Sequence, residues 1–129
     1  MNREGVRVRI YLDACALNRL FDDRRQTRVR TELDAVENCL ALFLEKRVDW
    51  LTSEVLEAEI LNNPNPESRL EALKLISLST AHVIATDAAF RRAELLEKLG
   101  YGAYDALHLA CAEEAKADCL LTTDDRFIR

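Results

Sequence analysis

The chain has 129 residues, of which 49% are hydrophobic and 32% are charged, and its formal net charge is −5. These values predict one globular domain spanning residues 1–129 and exclude a disordered chain. No apolar run approaches the ~20 residues needed to span a bilayer, and no signal-like segment opens the sequence, so we expect a cytoplasmic protein without membrane contact.

The N-terminal part predicts one strand and one long helix. Residues 6–13 (VRVRIYLD) alternate apolar with polar side chains, as half-buried strands do. Residues 14–26 contain a charged run and are predicted to be irregular. Residues 27–47 repeat apolar side chains at steps of three and four, which predicts a helix with Lys46 and Arg47 in its last turn.

The middle of the chain predicts a short strand and two helices. Residues 48–52 are β-prone, and a helix over residues 53–61 follows, with Thr52 or Ser53 as its N-cap. Residues 65–67 (Asn-Pro-Glu) have the chemistry of a helix start, because Asn caps, Pro fits the first helical position and Glu complements the positive helix end. This second helix is predicted to reach residue 78.

The C-terminal part predicts a strand over residues 81–85, a helix over 86–99 stopped by Gly100, a largely buried helix over 102–117, and a strand over 118–122. Strands separated by helices need crossover connections, which favour parallel pairing. The predicted fold is therefore α/β, with three α/β/α layers around a central, mostly parallel sheet.

Acidic residues lie at or after the ends of the predicted strands, where parallel sheets bind ligands. Asp13 closes the first strand, and Asp124 follows the last one in LLTTDD. Asp105 lies near the start of the helix over 102–117, among apolar neighbours, where burying a carboxylate costs several kcal/mol unless it is paired or bound to a cation. Each acid alone has a structural alternative as a turn, cap or solvated residue, but the topology brings them to one edge of the sheet.

Such a group of carboxylates predicts a divalent metal site. Mg²⁺ and Mn²⁺ prefer oxygen ligands, and with metal no protein nucleophile is required for hydrolysis of a phosphodiester. The sequence agrees, since it has two histidines, His82 and His108, and no G-x-S-x-G elbow.

Three segments, IYLDACALNRLF, LTSEVLEAEI and YDALHLACAEEAKADCLLTTDDRF, resemble PIN-domain ribonucleases of the kind that serve as toxins in bacterial VapBC toxin–antitoxin pairs. The segments lie in order, cover nearly the whole chain, and the last is the most specific. The resemblance implies a PIN-like fold and an endoribonuclease dependent on Mg²⁺ or Mn²⁺. It also implies a homodimer that a cognate antitoxin protein inhibits.

Carried over by position, the acids of this family fall on Asp13, Glu59, Asp105 and Asp124, as catalytic residues and metal ligands. Glu57 remains an alternative to Glu59, because one shift of helical register would exchange them. Asn18 is a secondary candidate to hold a metal-bound water or Asp13, or else a helix-start residue. His108, one turn after Asp105, is either a partner of that carboxylate or a packed helix residue.

The chain departs from the family pattern at its end. It stops at Arg129, where family members usually continue through a short helix and another strand. The sequence therefore leaves two alternatives for the sheet, with or without the usual last strand, and two for the dimer, with or without a contribution from C-terminal residues.

Basic residues concentrate near the N-terminus, where residues 1–30 hold eight arginines against four acidic residues. These include the cluster Arg24, Arg25, Arg28 and Arg30. The cluster either contacts RNA phosphates or an acidic segment of an antitoxin, or it is a solvated helix start. The four cysteines form no C-x-x-C pair, and we expect reduced packing residues.

Two other function classes stay open. One is a PIN-like module that binds nucleic acid or a partner without catalysis. The other is a phosphatase or phosphoacceptor on a similar sheet. A dehalogenase-type phosphatase would need a second Asp at position 15, where Cys15 stands, and a receiver domain would need a Lys just after a strand, where neither Lys98 nor Lys116 lies.

Overall fold

Four parallel strands form the centre of the protein in the computed structural model, which describes residues 7–18, 20 and 27–122. The strands are β1 (Arg9–Leu12), β2 (Asp49–Ser53), β3 (Ala81–Val83) and β4 (Cys119–Leu121). They lie in the order β3-β2-β1-β4, and every neighbouring pair is parallel. The carboxyl ends of β1, β2 and β4 therefore meet at one edge of the sheet.

Six helices connect these strands within the described residues: α1 (Ala14–Asn18), α2 (Thr27–Leu44), α3 (Glu54–Leu61), α4 (Pro66–Ile76), α5 (Asp87–Lys98) and α6 (Ala103–Glu114). They cover the sheet on both sides, which confirms the predicted α/β/α architecture. No helix in the described part of the chain combines the length and apolar character that crossing a bilayer requires.

The two faces of the sheet build separate cores, because successive strand side chains point to opposite faces. On one face, Leu12 and Trp50 pack with α1, α2, α3 and α4, and the ring of Phe43 stacks on Trp50 with 5.0 Å between ring centroids. On the other face, Tyr11 and Leu51 pack against α6. The central strands β1 and β2 are thus buried on both sides.

Local sequence signals act as predicted at three helix ends. The Ser53 hydroxyl caps α3 by accepting from the backbone N–H of Leu56 at 3.1 Å. The side chain of Asn65 caps α4, and Pro66 occupies its first turn. After α5, Gly100 adopts a φ of 109°, which residues with a Cβ rarely reach.

Two local predictions are wrong. Residues 14–18 are helical as α1, because the backbone carbonyl and carboxylate of Asp13 accept from the N–H groups of Leu17 and Ala16. Lys46 and Arg47 follow α2, which ends at Leu44, and Lys46 turns the chain with a φ of 60°. All four cysteines lie in the described residues and none forms a disulfide, as predicted, but Cys119 is exposed and is not a packing residue.

Candidate functional site

Asp13 lies at the point where β1 gives way to α1. Its backbone N–H donates to the carbonyl of Leu121 at 3.2 Å, which ties the carboxyl ends of β1 and β4 together. Its side chain is 2% exposed, and one carboxylate oxygen accepts from the N–H of Ala16 at 2.9 Å. Asp13 is therefore both the cap of a short helix and a buried carboxylate at the edge where ligands bind in such sheets.

Burial raises the pKa of the Asp13 carboxyl, and hydrogen bonds from Thr122 and Ala16 oppose that rise in part. His108 also lowers this pKa, whereas the nearby carboxylate of Glu59 raises it. Asp13 and Glu59 are thus close enough to repel each other when both are ionised. A cation between them would remove that repulsion and offset the cost of burial.

Glu59 is held in place from α6. Its carboxylate contacts Nε2 of His108, whose side chain is almost fully buried. The other ring nitrogen, Nδ1, lies 2.6 Å from the Tyr11 hydroxyl, and that hydroxyl lies 2.5 Å from Oγ of Ser53. The four side chains form one hydrogen-bonded chain from the end of β2 to the candidate site.

The direction of these hydrogen bonds follows from the chemistry of the partners. If Glu59 is ionised and the His108 ring is neutral, one arrangement satisfies both ring nitrogens: Nε2 donates to Glu59 and Nδ1 accepts from the Tyr11 hydroxyl. The hydroxyl of Ser53 donates to Tyr11 while its oxygen accepts from Leu56. Every member of this chain has a hydrogen-bond partner, so the chain fixes the rotamer of this ligand candidate.

Glu57 faces a different part of the molecule. Its carboxylate lies 3.2 Å from Nε2 of His82, and both side chains are partly exposed. Nδ1 of His82 lies 2.9 Å from the hydroxyl of Thr52, on the β3 side of the sheet. The structure therefore places Glu59, and not Glu57, beside Asp13.

Asp105 lies half-buried in the first turn of α6, three residues before His108 and thus one turn along the helix. Asp124 lies outside the described residues. Within residues 7–18, 20 and 27–122, no three His, Cys, Asp or Glu side chains are grouped closely enough to hold a metal ion. The structure thus brings Asp13 and Glu59 together and places Asp105 on the helix that supports Glu59.

The structure describes only part of the predicted basic cluster, but it places Asn18 next to the candidate site. Arg24 and Arg25 lie outside the described residues, and Arg30 is exposed on α2. Asn18 ends α1 instead of starting a helix, and it lines a cavity beside Glu59.

Sequence reasoning missed Tyr11, Ser53 and Thr122 as supporting residues. Alternation in VRVRIYLD assigned Tyr11 to the polar face of the strand with Arg7 and Arg9, yet its side chain is fully buried. The available signal was the predicted architecture itself, because a central strand between two helical layers has no solvated face.

Comparison with known proteins identified one family model and seven similar chains of solved structures. The family model described as PIN domain matches residues 10–129. The crystal structure of VapC20 from Mycobacterium tuberculosis, described as a sarcin-ricin loop cleaving toxin, has a TM-score of 0.66 and 19% identity, and the match covers 92% of each chain. A search of curated protein sequences gave no significant match.

Proposed function

Because the chain belongs to the PIN domain family, we propose that it is a metal-dependent endoribonuclease that hydrolyses RNA phosphodiester bonds. The observation that carries this proposal is the buried Asp13 carboxylate at the end of β1, with the Glu59 carboxylate, held from α6, near enough to raise its pKa. A buried carboxylate with a second acid nearby is costly without a cation.

The two acids Asp13 and Glu59 suit a hard divalent cation, because their donor atoms are carboxylate oxygens. Asp13 and Glu59 would hold the ion, and we propose that Asp105 and Asp124 complete the set. When bound, Mg²⁺ or Mn²⁺ would activate water and neutralise charge on the phosphate. His108 acts through Glu59: it donates to that carboxylate and prevents it from turning away into solvent.

A toxin role with a cognate antitoxin and a homodimeric assembly is part of the same proposal. It is supported by the likeness to VapC20, which extends over 92% of both chains. A cytoplasmic location follows from this role, since its RNA substrate is there.

The pair Glu59 and Glu57 offers a matched test, because both residues lie on α3 and only Glu59 faces Asp13. Glu59→Gln should lower kcat/KM for RNA cleavage about 100-fold or more, since a metal ligand loses its charge. Glu57→Gln should change cleavage by less than about threefold, since its exposed pair with His82 contributes little. The measurement is cleavage of a labelled RNA in Mg²⁺ by the purified variants.

Equal loss in both variants would contradict the assignment of Glu59. If the wild-type protein binds RNA or a partner tightly but cleaves nothing in Mg²⁺ or Mn²⁺, the ribonuclease proposal fails and the non-catalytic binding module replaces it.

A further inference from the structure

A cavity of about 380 Å³ opens beside Glu59, between the end of α1 and the segment that joins α3 to α4. Its volume lies in the range of roughly 300–1,000 Å³ that is usual for small-ligand sites. Among the described residues, its polar lining consists of Asn18, Glu59, Asn62, Asn63 and Ser68. Because Glu59 belongs to both the cavity and the carboxylate site, a group in the cavity lies next to the reacting phosphate.

The chemistry of the lining selects the class of occupant. Apart from Glu59, the polar groups are three amides and one hydroxyl, which offer donors and acceptors without charge. Such groups match the edges of nucleobases, which proteins read in unpaired RNA. A phosphate group is disfavoured, since the one charged residue among the described lining residues is the anionic Glu59.

Several hydrogen bonds fix the positions of Asn62 and Asn63, two of the residues that line the cavity. The side-chain oxygen of Asn63 accepts from the N–H of Asn65 at 3.0 Å. The guanidinium of Arg69 donates to the backbone carbonyl of Asn63 at 3.0 Å, and the amide of Asn62 donates to the Tyr104 hydroxyl at 3.4 Å. The side-chain amides of Asn62 and Asn63 are therefore oriented before any ligand binds, which reduces the entropy cost of binding.

We propose that this cavity is a subsite for one unpaired RNA base beside the scissile phosphate, and that it sets the base preference at that position. The inference rests on the proposed ribonuclease function. The apolar side of the cavity, which includes Ile60 and Pro64, contacts the face of the base. No aromatic ring lines the described part of the cavity, so hydrogen bonds, and not sequence-tolerant stacking, carry the selection.

The double variant Asn62→Ala/Ser68→Ala tests the subsite without removing a carboxylate. A pool of random-sequence RNA is digested in Mg²⁺, and the ends of the products are sequenced. Wild-type protein should favour one base at a position next to the cut, and the double variant should reduce that preference about 5- to 100-fold while still cleaving. Asn38→Ala, an exposed amide on α2, is the matched control and should keep the wild-type preference.

A second measurement separates this inference from the ribonuclease proposal. The four ribonucleoside 5′-monophosphates are titrated by NMR into metal-free protein with EDTA. One base should shift the backbone amides of residues 62, 63 and 68 most strongly, and the double variant should lose that response while Asn38→Ala keeps it.

Each result has a defined meaning. Nucleotide binding without any RNA cleavage would overturn the ribonuclease proposal and the role in base preference at a cut, and would leave the cavity as a nucleobase-binding site. Cleavage with an unchanged base preference in the double variant, or nucleotides that shift none of these amides, would overturn the subsite.

Discussion

Asp13→Asn is expected to abolish RNA cleavage and, in metal-free buffer, to make the protein more stable. The loss of activity should be at least about 1,000-fold in kcat/KM, because a buried carboxylate that holds the catalytic cation loses its charge. The gain in stability follows from burial, because an ionised carboxylate that is 2% exposed and faces Glu59 destabilises the folded state, whereas a neutral amide does not. The Asn side-chain oxygen can still accept from the N–H of Ala16 and cap α1.

The pH dependence of this gain has a definite sign. Burial raises the pKa of Asp13 above its ordinary value of 3.8. The stability that its protonated form provides is therefore fully present below 3.8, and it is lost as the pH rises through the raised folded-state pKa. In EDTA, the Tm of Asp13→Asn should accordingly match that of wild type at a pH near 3.8, and it should exceed the wild-type Tm at neutral pH.

With metal bound, the wild-type protein should become more stable than Asp13→Asn. Binding to the folded state raises wild-type stability, by ~2.7 kcal/mol when the free ion is at 100 times its Kd, and Asp13→Asn should respond far less. Thermal melts at pH 4 and pH 7, with EDTA and with excess Mg²⁺, check all of this. A variant that is less stable than wild type in EDTA at pH 7 would show that Asp13 is a structural cap and nothing more.

His108→Ala should have the second largest effect, on stability and activity together. Removal of the imidazole leaves the buried hydroxyl of Tyr11 without its acceptor and Glu59 without its donor. We expect a loss of about 2–4 kcal/mol in unfolding free energy. RNA cleavage should fall about 10- to 100-fold, as is usual when a residue that orients a metal ligand is lost.

Two further variants show whether His108 orients Glu59 or whether its loss only damages the fold. His82→Ala, the other histidine, should change both quantities little, because its contact with Glu57 is partly exposed to solvent. Tyr11→Phe keeps the ring but removes the hydroxyl that faces His108 and Ser53, and it should raise the Mg²⁺ concentration for half-maximal cleavage. If His108→Ala weakens folding but leaves this Mg²⁺ requirement unchanged, His108 is a packing residue only.

The layers of the fold, and the strand ends where the candidate site is proposed, could be read from the sequence because strong local signals agree with each other. The apolar end of β1 before Asp13, the Ser53 cap and the Asn65–Pro66 helix start all appear in the structure where the pattern predicts them. Four strands separated by helices then leave little choice but a parallel sheet, which sets which strand ends meet.

The supporting residues could not be read in the same way, because their roles depend on contacts between residues far apart in sequence. Tyr11 and His108 are 97 positions apart, and Glu59 and His108 are 49 positions apart. No local pattern distinguishes Glu59 from Glu57 either, since both lie on α3 and only the packing of α6 separates their surroundings.

The most direct test of the metal-dependent ribonuclease is RNA cleavage by the purified wild-type protein as the divalent ion is removed and restored. The account predicts cleavage in Mg²⁺ or Mn²⁺, none in excess EDTA, and full recovery when Mg²⁺ is added back beyond the EDTA. Cleavage that persists in EDTA at the same rate would contradict the account, because the paired carboxylates of Asp13 and Glu59 would then have no role in the reaction.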